Sequence, residues 1–213
     1  MVKKIIFICG KLFSYIFPQN LRDKCEGIKV RFFVGYKSRY FKSLGTNSTL
    51  GRHTTYIGEQ YISIGDNTHI GDHGRLTAYF RYHHTNQQFN PCIQIGNNCS
   101  IGPQSHITAI NSITIGHNVL TGPRVLITDN AHGDTQLELL DTAPSKRLLF
   151  SKGKVIIEDN VWIGEGAMIM PNVHIGRGAI IACNSVVTTD IPAYSIVAGS
   201  PAKIIKDHAT KQG

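Results

Sequence analysis

One histidine in this chain is a candidate for proton transfer. His132 lies near the end of the segment Thr128-Asp129-Asn130-Ala131-His132-Gly133. A hydroxyl group is a poor nucleophile until a base takes its proton during attack, and neutral imidazole, with an unperturbed pKa of about 6.5, suits that task at cellular pH. Asp129 is the nearest candidate to orient the ring, although a backbone carbonyl would serve as well. The alternative interpretation is a loop histidine with no chemical role.

The element that must position this segment is a repeat of six residues. From Val155 the chain reads VIIEDN VWIGEG AMIMPN VHIGRG AIIACN SVVTTD. The third residue of each block is aliphatic: Ile157, Ile163, Ile169, Ile175, Ile181 and Val187. The first residue is small or β-branched in every block: Val155, Val161, Ala167, Val173, Ala179 and Ser185. Asn or Asp recurs at the block ends.

A period of six matches neither a free helix nor an alternating strand. Six residues suffice for one short strand and one turn, so identical positions stack as the chain winds on, which predicts a three-sided solenoid. Each inward Ile or Val contributes about 1.5–3 kcal/mol on burial. Gly and Asn are expected at the corners because they tolerate left-handed backbone angles. A β-sandwich with an accidental repeat is disfavoured, since the phase holds through six blocks.

The repeat resembles that of hexapeptide-repeat acyltransferases, and the resemblance covers residues 45–206. It implies a left-handed parallel β-helix, whose hand opposes the usual right-handed crossover. Residues 115–133, IGHNVLTGPRVLITDNAHG, are similar to the coil-to-loop passage of galactoside and maltose O-acetyltransferases. They are closer to the branch that acetylates bacterial surface polysaccharides, where a Ser/Thr-Asp-x-x-His-Gly motif ends the passage.

This resemblance implies that His132 is the catalytic histidine. It also implies that two further residues, His106 and Trp162, contribute to binding the acceptor. His106, in SHITAIN, falls one coil or so earlier, so that both histidines could line one cleft; a turn histidine is the alternative. Trp162, the only tryptophan, either lines the pocket for the acetyl end of the cofactor or packs on the outer surface of the three-sided solenoid.

The resemblance also implies acetyl-CoA as the co-substrate. Carried over residue by residue, its contacts fall on Glu165, Cys183, Thr188, Thr189, Lys203 and Lys206. The two lysines are expected one turn apart on a short basic C-terminal helix, facing the adenosine phosphates; a solvated helix face is the alternative. Cys183 is not expected to be a nucleophile, because no basic residue adjoins it in sequence.

A catalytic metal is not expected. Carbonic anhydrases of this fold bind zinc through histidines from adjacent coils. The nearest histidine pairs here, His69/His73 and His83/His84, do not have the coil-to-coil spacing of such a site.

Charge divides the chain into a basic arm and a neutral remainder. The net charge is +8, and residues 1–42 carry all of it. Helices are predicted over residues 2–17, ended by Pro18, and over residues 20–42. The arm (residues 1–44) either caps the solenoid or lies on an anionic membrane surface. Its apolar run is too short to span a membrane, and it contains no motif typical of nucleic-acid binding.

The remaining boundaries follow from breaks in the repeat. The solenoid is predicted over residues 45–206, with its first coils beginning near Leu50, excursions at 78–91 and 129–154, and a C-terminal tail at 207–213. A long loop inside a compact repeat is usually functional. The five cysteines are scattered: Cys9, Cys25, Cys92, Cys99 and Cys183. This pattern indicates reduced thiols in a cytoplasmic protein.

The resemblance implies a homotrimer with active sites between subunits. Together with the motif at His132, it predicts an enzyme that transfers acetyl from acetyl-CoA to a sugar hydroxyl. The expected acceptor is a surface polysaccharide or its lipid-linked precursor. Two alternatives stay open: the same chemistry on an amino sugar, serine or an antibiotic, and a non-catalytic trimeric solenoid. The shape of the pocket that residues 78–91 and 129–154 form would decide the acceptor.

Overall fold

The computed structural model describes residues 2–16, 19–133 and 137–208, in two units. The first unit extends to Lys37 and the second begins at Ser38. The arm forms α1 (Val2–Ile16) and α2 (Gln19–Ser38). The predicted end of the first helix at Pro18 lies outside the described residues. The second helix ends earlier than predicted, because the Lys42 amide already donates to the carbonyl of Ile62 (3.0 Å).

Most strands of the second unit wind into three sheets, which are parallel except for the last strand of sheet C. Sheet A consists, in order, of β1 (Ser43–Leu44), β3 (Ile62–Ile64), β8 (Cys92–Ile95), β11 (Ser112–Ile115), β16 (Val155–Ile157) and β19 (His174–Ile175). Sheet B consists of β2 (Thr55–Ile57), β5 (Arg75–Ala78), β10 (His106–Ala109), β13 (Leu126–Thr128), β18 (Met168–Ile169) and β21 (Val186–Val187). Sheet C consists of β23 (Ala202–Asp207), β22 (Ser195–Gly199), β20 (Ile180–Ile181), β17 (Trp162–Ile163), β12 (Leu120–Thr121), β9 (Ser100–Ile101) and β4 (His69–Ile70).

The length of a coil explains why the period of six is clear only near the C-terminal end. Ser43 pairs with Ser63, twenty residues on. In the later coils Ile156 pairs with His174, eighteen residues on. The later coils are therefore three blocks of six, whereas an early coil contains two extra residues, which appear in the sequence as steps of seven or eight.

The inward positions of the repeat form the core, as predicted. Ile157, Ile163, Ile169, Ile175, Ile181 and Val187 are all at most 1% exposed, and so are Val155, Val161, Ala167, Val173, Ala179 and Ser185. Each block therefore buries its first and third residues, while the second faces outward. The solenoid begins one strand earlier than predicted, with β1 pairing to β3 ahead of Leu50.

Asparagine and glycine turn many of the corners, as expected from their backbone freedom. Five asparagines with positive φ form a ladder in which each side-chain amide bonds to the next: Asn47, Asn67, Asn98, Asn118 and Asn160. Bulkier residues also adopt positive φ at corners, among them His73 and Arg124. The stacked coils hold these angles in place.

Replacing Asn118 with alanine is expected to lower the free energy of unfolding by about 1–2 kcal/mol, because its φ of 57° is costly for a side chain without a local hydrogen bond. Asn118→Gly tolerates the angle and removes the same amide, so it should be less destabilised than Asn118→Ala. Urea unfolding of both variants measures the difference. Equal losses would assign the whole effect to the ladder bonds to Asn98 and Asn160.

Two excursions leave the solenoid where the period breaks. The first is a hairpin of β6 (Arg81–Tyr82) and β7 (Gln87–Gln88). The second contains β14 (Ala131–His132), the short helix α3 (Leu137–Leu140), a 3₁₀ turn (Pro144–Lys146) and β15 (Leu149–Phe150), with β14 antiparallel to β15. Another 3₁₀ turn, Glu59–Tyr61, lies between β2 and β3.

The predicted C-terminal helix is wrong. Residues 202–207 form β23, which pairs antiparallel with β22 at the end of sheet C. Six residues are too few for periodicity to separate helix from strand, and the β-branched pair Ile204-Ile205 suits a strand. Pairing also satisfies the backbone groups that β22 would otherwise expose at the edge of the sheet.

Candidate functional site

The segment 128–133 leaves sheet B through a tightly bonded turn. The Thr128 hydroxyl donates to the Asn130 carbonyl (3.1 Å) and accepts from the Asn130 amide (3.2 Å). The side-chain amide of Asn130 donates to the carbonyl of Thr108 (3.2 Å) on the neighbouring strand β10. The small polar residues of this motif are therefore needed to build the turn.

Asp129 serves this turn and not the ring of His132. Its carboxylate is fully buried and accepts from the backbone amides of Ile110 and Asn111, both at 2.9 Å, and from the side chain of Asn130 (3.1 Å). The sequence-based suggestion that Asp129 orients His132 is therefore not what the structure shows. Adjacency in sequence misled because the chain turns outward between the two residues, from the buried end of β13 to the exposed β14.

The side chain that does approach the ring of His132 comes from the first excursion. Tyr82 places its hydroxyl 3.5 Å from Nδ1 of His132, and the two rings meet edge to face with centroids 5.6 Å apart. The same hydroxyl donates to the carbonyl of Ser145 (2.8 Å). His132 itself is exposed and pairs with Leu149 across β14 and β15.

The two excursions enclose a cavity of about 130 Å³, lined by Tyr79, Tyr82, Asn130, His132 and Leu149. An imidazole at the wall of a small, mixed apolar and polar cavity suits proton transfer to or from a ligand atom. The cavity is smaller than the roughly 300–1,000 Å³ that is usual for a whole small-molecule site. One chain therefore encloses only part of a substrate of that size.

Gly133 and Arg147 fix the root of the second excursion. Gly133 has a φ of 81°, and a Cβ there would lie 2.8 Å from Cδ of Arg147. Arg147 donates to the carbonyls of Thr142 (2.8 Å) and Leu140 (3.0 Å). The glycine that follows His132 is thus required by both its backbone angle and the packing of this arginine.

His106 lies apart from the cavity. It is half-buried on the outer face of sheet B, between Arg75 of β5 and Leu126 of β13 in the strand register. Its Nε2 lies 3.5 Å from the hydroxyl of Thr77. Burial, and secondarily the charge of Arg75, lowers the pKa of His106 and favours the neutral ring. His106 does not belong to the described residues that line the cavity beside His132.

Trp162 lies on a different sheet from the segment that carries His132. It is 52% exposed on β17 of sheet C, beside Leu120 of β12, which is 48% exposed. His132 follows β13 of sheet B. Within one chain the tryptophan and the histidine therefore belong to two faces of the prism.

Four of the six residues assigned to the cofactor occupy two corners of the last coils. Glu165 and Cys183 are stacked at the corner that precedes sheet B: the Glu165 carbonyl accepts from the Asn184 amide (2.8 Å), and the Glu165 carboxylate pairs with Arg124. Thr188 and Thr189 are exposed and follow β21 at the opposite corner. All five cysteines are free thiols. Cys183 and Cys9 are exposed, Cys25 and Cys92 are partly buried, and Cys99 is buried.

Lys203 and Lys206 share one face of β23, although they do not lie on a helix. Lys206 pairs with Ile196, and Lys203 with Ala198, because a bulge absorbs one extra residue of β23 between them. Ile196 and Ala198 are two apart on β22 and therefore on the same side of the sheet. Both lysines are exposed. The bulge thus gives the paired placement that a helical turn would have given.

Two further findings concern the described residues only. No cluster of three or more His, Cys, Asp or Glu side chains is placed to hold a metal ion within residues 2–16, 19–133 and 137–208. In the same part of the chain, neither α1 nor α2 combines the length and apolar character needed to cross a bilayer.

Comparison with known proteins identifies the class. Residues 154–189 match the family described as bacterial transferase hexapeptide (six repeats). Over 172 residues the chain is 34% identical to an Escherichia coli K12 protein named as a lipopolysaccharide biosynthesis O-acetyl transferase, WbbJ, covering 78% of this chain and 83% of WbbJ. The chain therefore belongs to the hexapeptide-repeat acetyltransferase family, and its solenoid is the left-handed parallel β-helix predicted from the sequence.

A second relative and a solved structure extend the comparison. The galactoside O-acetyltransferase of E. coli K12 is 28% identical over 203 residues, covering 93% of this chain and 85% of its own length. The crystal structure of a point mutant of AntD, an N-acyltransferase from Bacillus cereus, in complex with dTDP-4-amino-4,6-dideoxyglucose and coenzyme A, shares the fold. Its TM-score is 0.67 at 23% identity, over 81% of this chain and 86% of AntD.

Sequence reasoning missed the residues that the first excursion contributes. Tyr82 contacts His132, while Gln87 bonds to both backbone groups of Leu149, at 2.8 and 3.0 Å. The aromatic and polar composition of residues 78–91 indicated an excursion that forms a pocket with residues 129–154, but no pattern singled out Tyr82 or Gln87.

Proposed function

We propose that this chain is an O-acetyltransferase that moves acetyl from acetyl-CoA to a sugar hydroxyl of a surface polysaccharide or its lipid-linked precursor. The observation that carries the proposal is His132, held at the wall of a cavity between two excursions on a hexapeptide-repeat acetyltransferase fold. The names of WbbJ and the galactoside enzyme support the O-acetyl chemistry and a carbohydrate acceptor.

In the proposed reaction, a ring nitrogen of His132 takes the hydroxyl proton as the sugar oxygen attacks the thioester carbon. A backbone N–H at the cleft stabilises the oxyanion of the tetrahedral intermediate. Collapse of the intermediate breaks the carbon–sulfur bond, and the proton held by His132 passes to the departing thiolate. The products are an acetyl ester and coenzyme A, without an acyl-enzyme.

For the cofactor, we propose the corner of Glu165 and Cys183, the threonines 188 and 189, and the lysine pair on β23. In this proposal, outward-facing backbone groups at these corners pair with the amides of the pantetheine arm. Lys203 and Lys206 present two positive charges on one face, which suits the phosphates of the adenosine end. Lysine supplies charge there with less geometric selectivity than arginine.

For the assembly, we propose a homotrimer in which each site is completed by a neighbouring chain. Sheets B and C expose apolar side chains, including Met168 (42%) on B and Trp162 (52%) on C, whereas the outward residues of sheet A include Ser63, Gln94 and Thr114. A closed threefold arrangement buries two faces of each prism and leaves the third in solvent.

The trimer also explains why His132 and Trp162 lie on different faces of one chain. The cavity beside His132 is small, and Trp162 lies on another face of the same chain. In a trimer, sheet C of one chain faces sheet B of the next, so a neighbour's Trp162 completes the cleft beside His132. This is the basis for placing the acceptor and the acetyl group between subunits.

For the arm (residues 1–44), we propose attachment to the anionic inner face of the cytoplasmic membrane, close to a lipid-linked acceptor. α1 carries Lys3, Lys4 and Lys11 among Ile, Phe and Leu side chains. A single helix cannot bury apolar residues against itself, and a basic apolar helix partitions into the interface of an anionic bilayer. The cytoplasmic location is part of this proposal.

Vesicle binding measures the contribution of these lysines. At low salt, the triple variant Lys3→Gln, Lys4→Gln, Lys11→Gln should bind vesicles containing phosphatidylserine more weakly than the unmodified chain, by about 1 kcal/mol per lysine. The matched control removes three lysines of the second excursion, Lys146, Lys152 and Lys154, and should bind like the unmodified chain. If the unmodified chain ignores acidic vesicles at low salt, the membrane proposal is wrong.

The test of the proposed function is thiol release from acetyl-CoA against a panel of acceptors: sugars, oligosaccharides, an amino-sugar nucleotide, serine and an antibiotic. Release that depends on a hydroxyl sugar supports the proposal. Release with the amino sugar alone would assign N-acylation, the chemistry for which AntD is named. Binding of coenzyme A without release points to a different acceptor, and no binding at all favours a non-catalytic solenoid.

A further inference from the structure

The hydroxyl of Tyr82 lies between two groups that constrain its single proton. The carbonyl of Ser145, 2.8 Å away, can only accept a hydrogen bond. The phenolic proton is therefore directed to Ser145, and the lone pairs of the oxygen remain for its other neighbour. That neighbour is Nδ1 of His132, at 3.5 Å.

A neutral imidazole carries its proton on one nitrogen or the other. With the Tyr82 proton committed to Ser145, two lone pairs would face each other if Nδ1 of His132 were bare. Protonation of Nδ1 converts this repulsion into an N–H···O hydrogen bond. The lone pair of the ring then resides on Nε2, on the side of the ring away from Tyr82.

We propose that Tyr82 is a positioning residue that holds neutral His132 as the Nδ1–H tautomer, so that Nε2 is the atom that accepts the proton of the substrate hydroxyl. The inference rests on the proposed function for its catalytic meaning, although the tautomer is a property of the chain alone. It assigns to the first excursion the orienting task that sequence proximity had suggested for Asp129.

The Tyr82 hydroxyl is itself held by a closed set of contacts. Tyr82 pairs with Gln87 across the hairpin. The side chain of Gln87 accepts from the amide of Leu149 (2.8 Å) and donates to its carbonyl (3.0 Å). Leu149 in turn pairs with His132. Each excursion therefore fixes the other, and the distance from the hydroxyl to Nδ1 does not depend on one flexible loop.

The ring of Tyr82 also packs on His132, so the test must separate the hydroxyl from the ring. Tyr82→Phe keeps the edge-to-face contact and removes only the oxygen. Tyr61→Phe is the matched control, because Tyr61 packs against Phe80 at the base of the same hairpin, with ring centroids 5.9 Å apart, and does not line the cavity beside His132.

The first measurement is the tautomer, read from the ring ¹⁵N shifts of the full chain labelled at histidine, with the His132 signals assigned by their loss in His132→Ala. The unmodified chain should show a protonated Nδ1 and a bare Nε2. In Tyr82→Phe the population should move toward Nε2–H, the form that free imidazole side chains prefer in water. Tyr61→Phe should keep the original pattern.

The second measurement is turnover with acetyl-CoA and an acceptor found by the panel. Tyr82→Phe should lower kcat about 3- to 10-fold, the range expected for one lost hydrogen bond, with KM for both substrates within about twofold. A bare Nδ1 in the unmodified chain, or an unchanged tautomer in Tyr82→Phe, overturns the proposal, whatever happens to kcat. If the tautomer responds but His132→Ala keeps full turnover, the positioning by Tyr82 holds and the general-base function fails.

Discussion

Replacing His132 with alanine is expected to lower kcat/KM for acetyl transfer by about 10²–10⁴-fold, the usual contribution of a positioned general base. The substitution removes the only imidazole among the residues described as lining the cavity. It leaves the turn of Thr128, Asp129 and Asn130 intact, because none of the bonds of that turn involves the ring. Stability should therefore change little while turnover collapses. Thiol release under saturating acetyl-CoA measures the loss.

The control for this loss is His174→Ala. His174 is exposed on β19 of sheet A, where its ring contacts Glu158 at 2.8 Å. We expect its turnover to stay within about twofold of the unmodified chain, since a surface contact of this kind contributes little. Binding of coenzyme A, measured separately by calorimetry, should be unchanged in both variants. Full turnover in His132→Ala would remove the general base and leave the position of the reaction open.

The repeat made the core and the overall fold predictable. Because each coil contacts only its neighbours, a local pattern of six residues determines which side chains face inward. The aliphatic third position is buried in all six regular blocks, with Ile157 and Ile163 among the examples. The motif around His132 could likewise be recognised, because its parts are close in sequence and build a local turn.

The surroundings of His132 could not be predicted in the same way. Tyr82 is fifty residues away in sequence, and Gln87 reaches Leu149 across 62 residues. Neither excursion has a periodic pattern that specifies its partner, so their contact depends on where the coils below them end. The short C-terminal helix predicted to start within residues 199–205 failed for a different reason. So short a segment has too few residues for periodicity to separate helix from strand, and β23 pairs with β22, which precedes it directly in the chain.

Replacing Asp129 should have a large effect on stability, because this residue connects the core to the segment that carries His132. Asp129→Ala is expected to lower the free energy of unfolding by about 2–4 kcal/mol. The substitution leaves the amides of Ile110 and Asn111 without their acceptor, and each unpaired donor at such a site costs about 1–3 kcal/mol. Chemical denaturation measures this loss, and Asp190→Ala is the control. Asp190 is exposed and accepts from a single amide, that of His174 (2.8 Å), so its loss should stay below about 1 kcal/mol.

Asp129→Asn separates support of the turn from action on the ring. Asparagine keeps one acceptor oxygen but turns an NH₂ group toward the second backbone amide, so the two donors oppose each other. If Asp129 acts only through the turn, Asp129→Asn should lose stability and turnover together, and Asp129→Ala should lose more of both. A fully stable Asp129→Asn whose kcat falls about tenfold or more would instead show that the carboxylate acts on His132 through a contact that forms only when substrate is bound. The structure favours the first outcome, because both oxygens of the buried carboxylate are already bonded to the backbone beneath the turn.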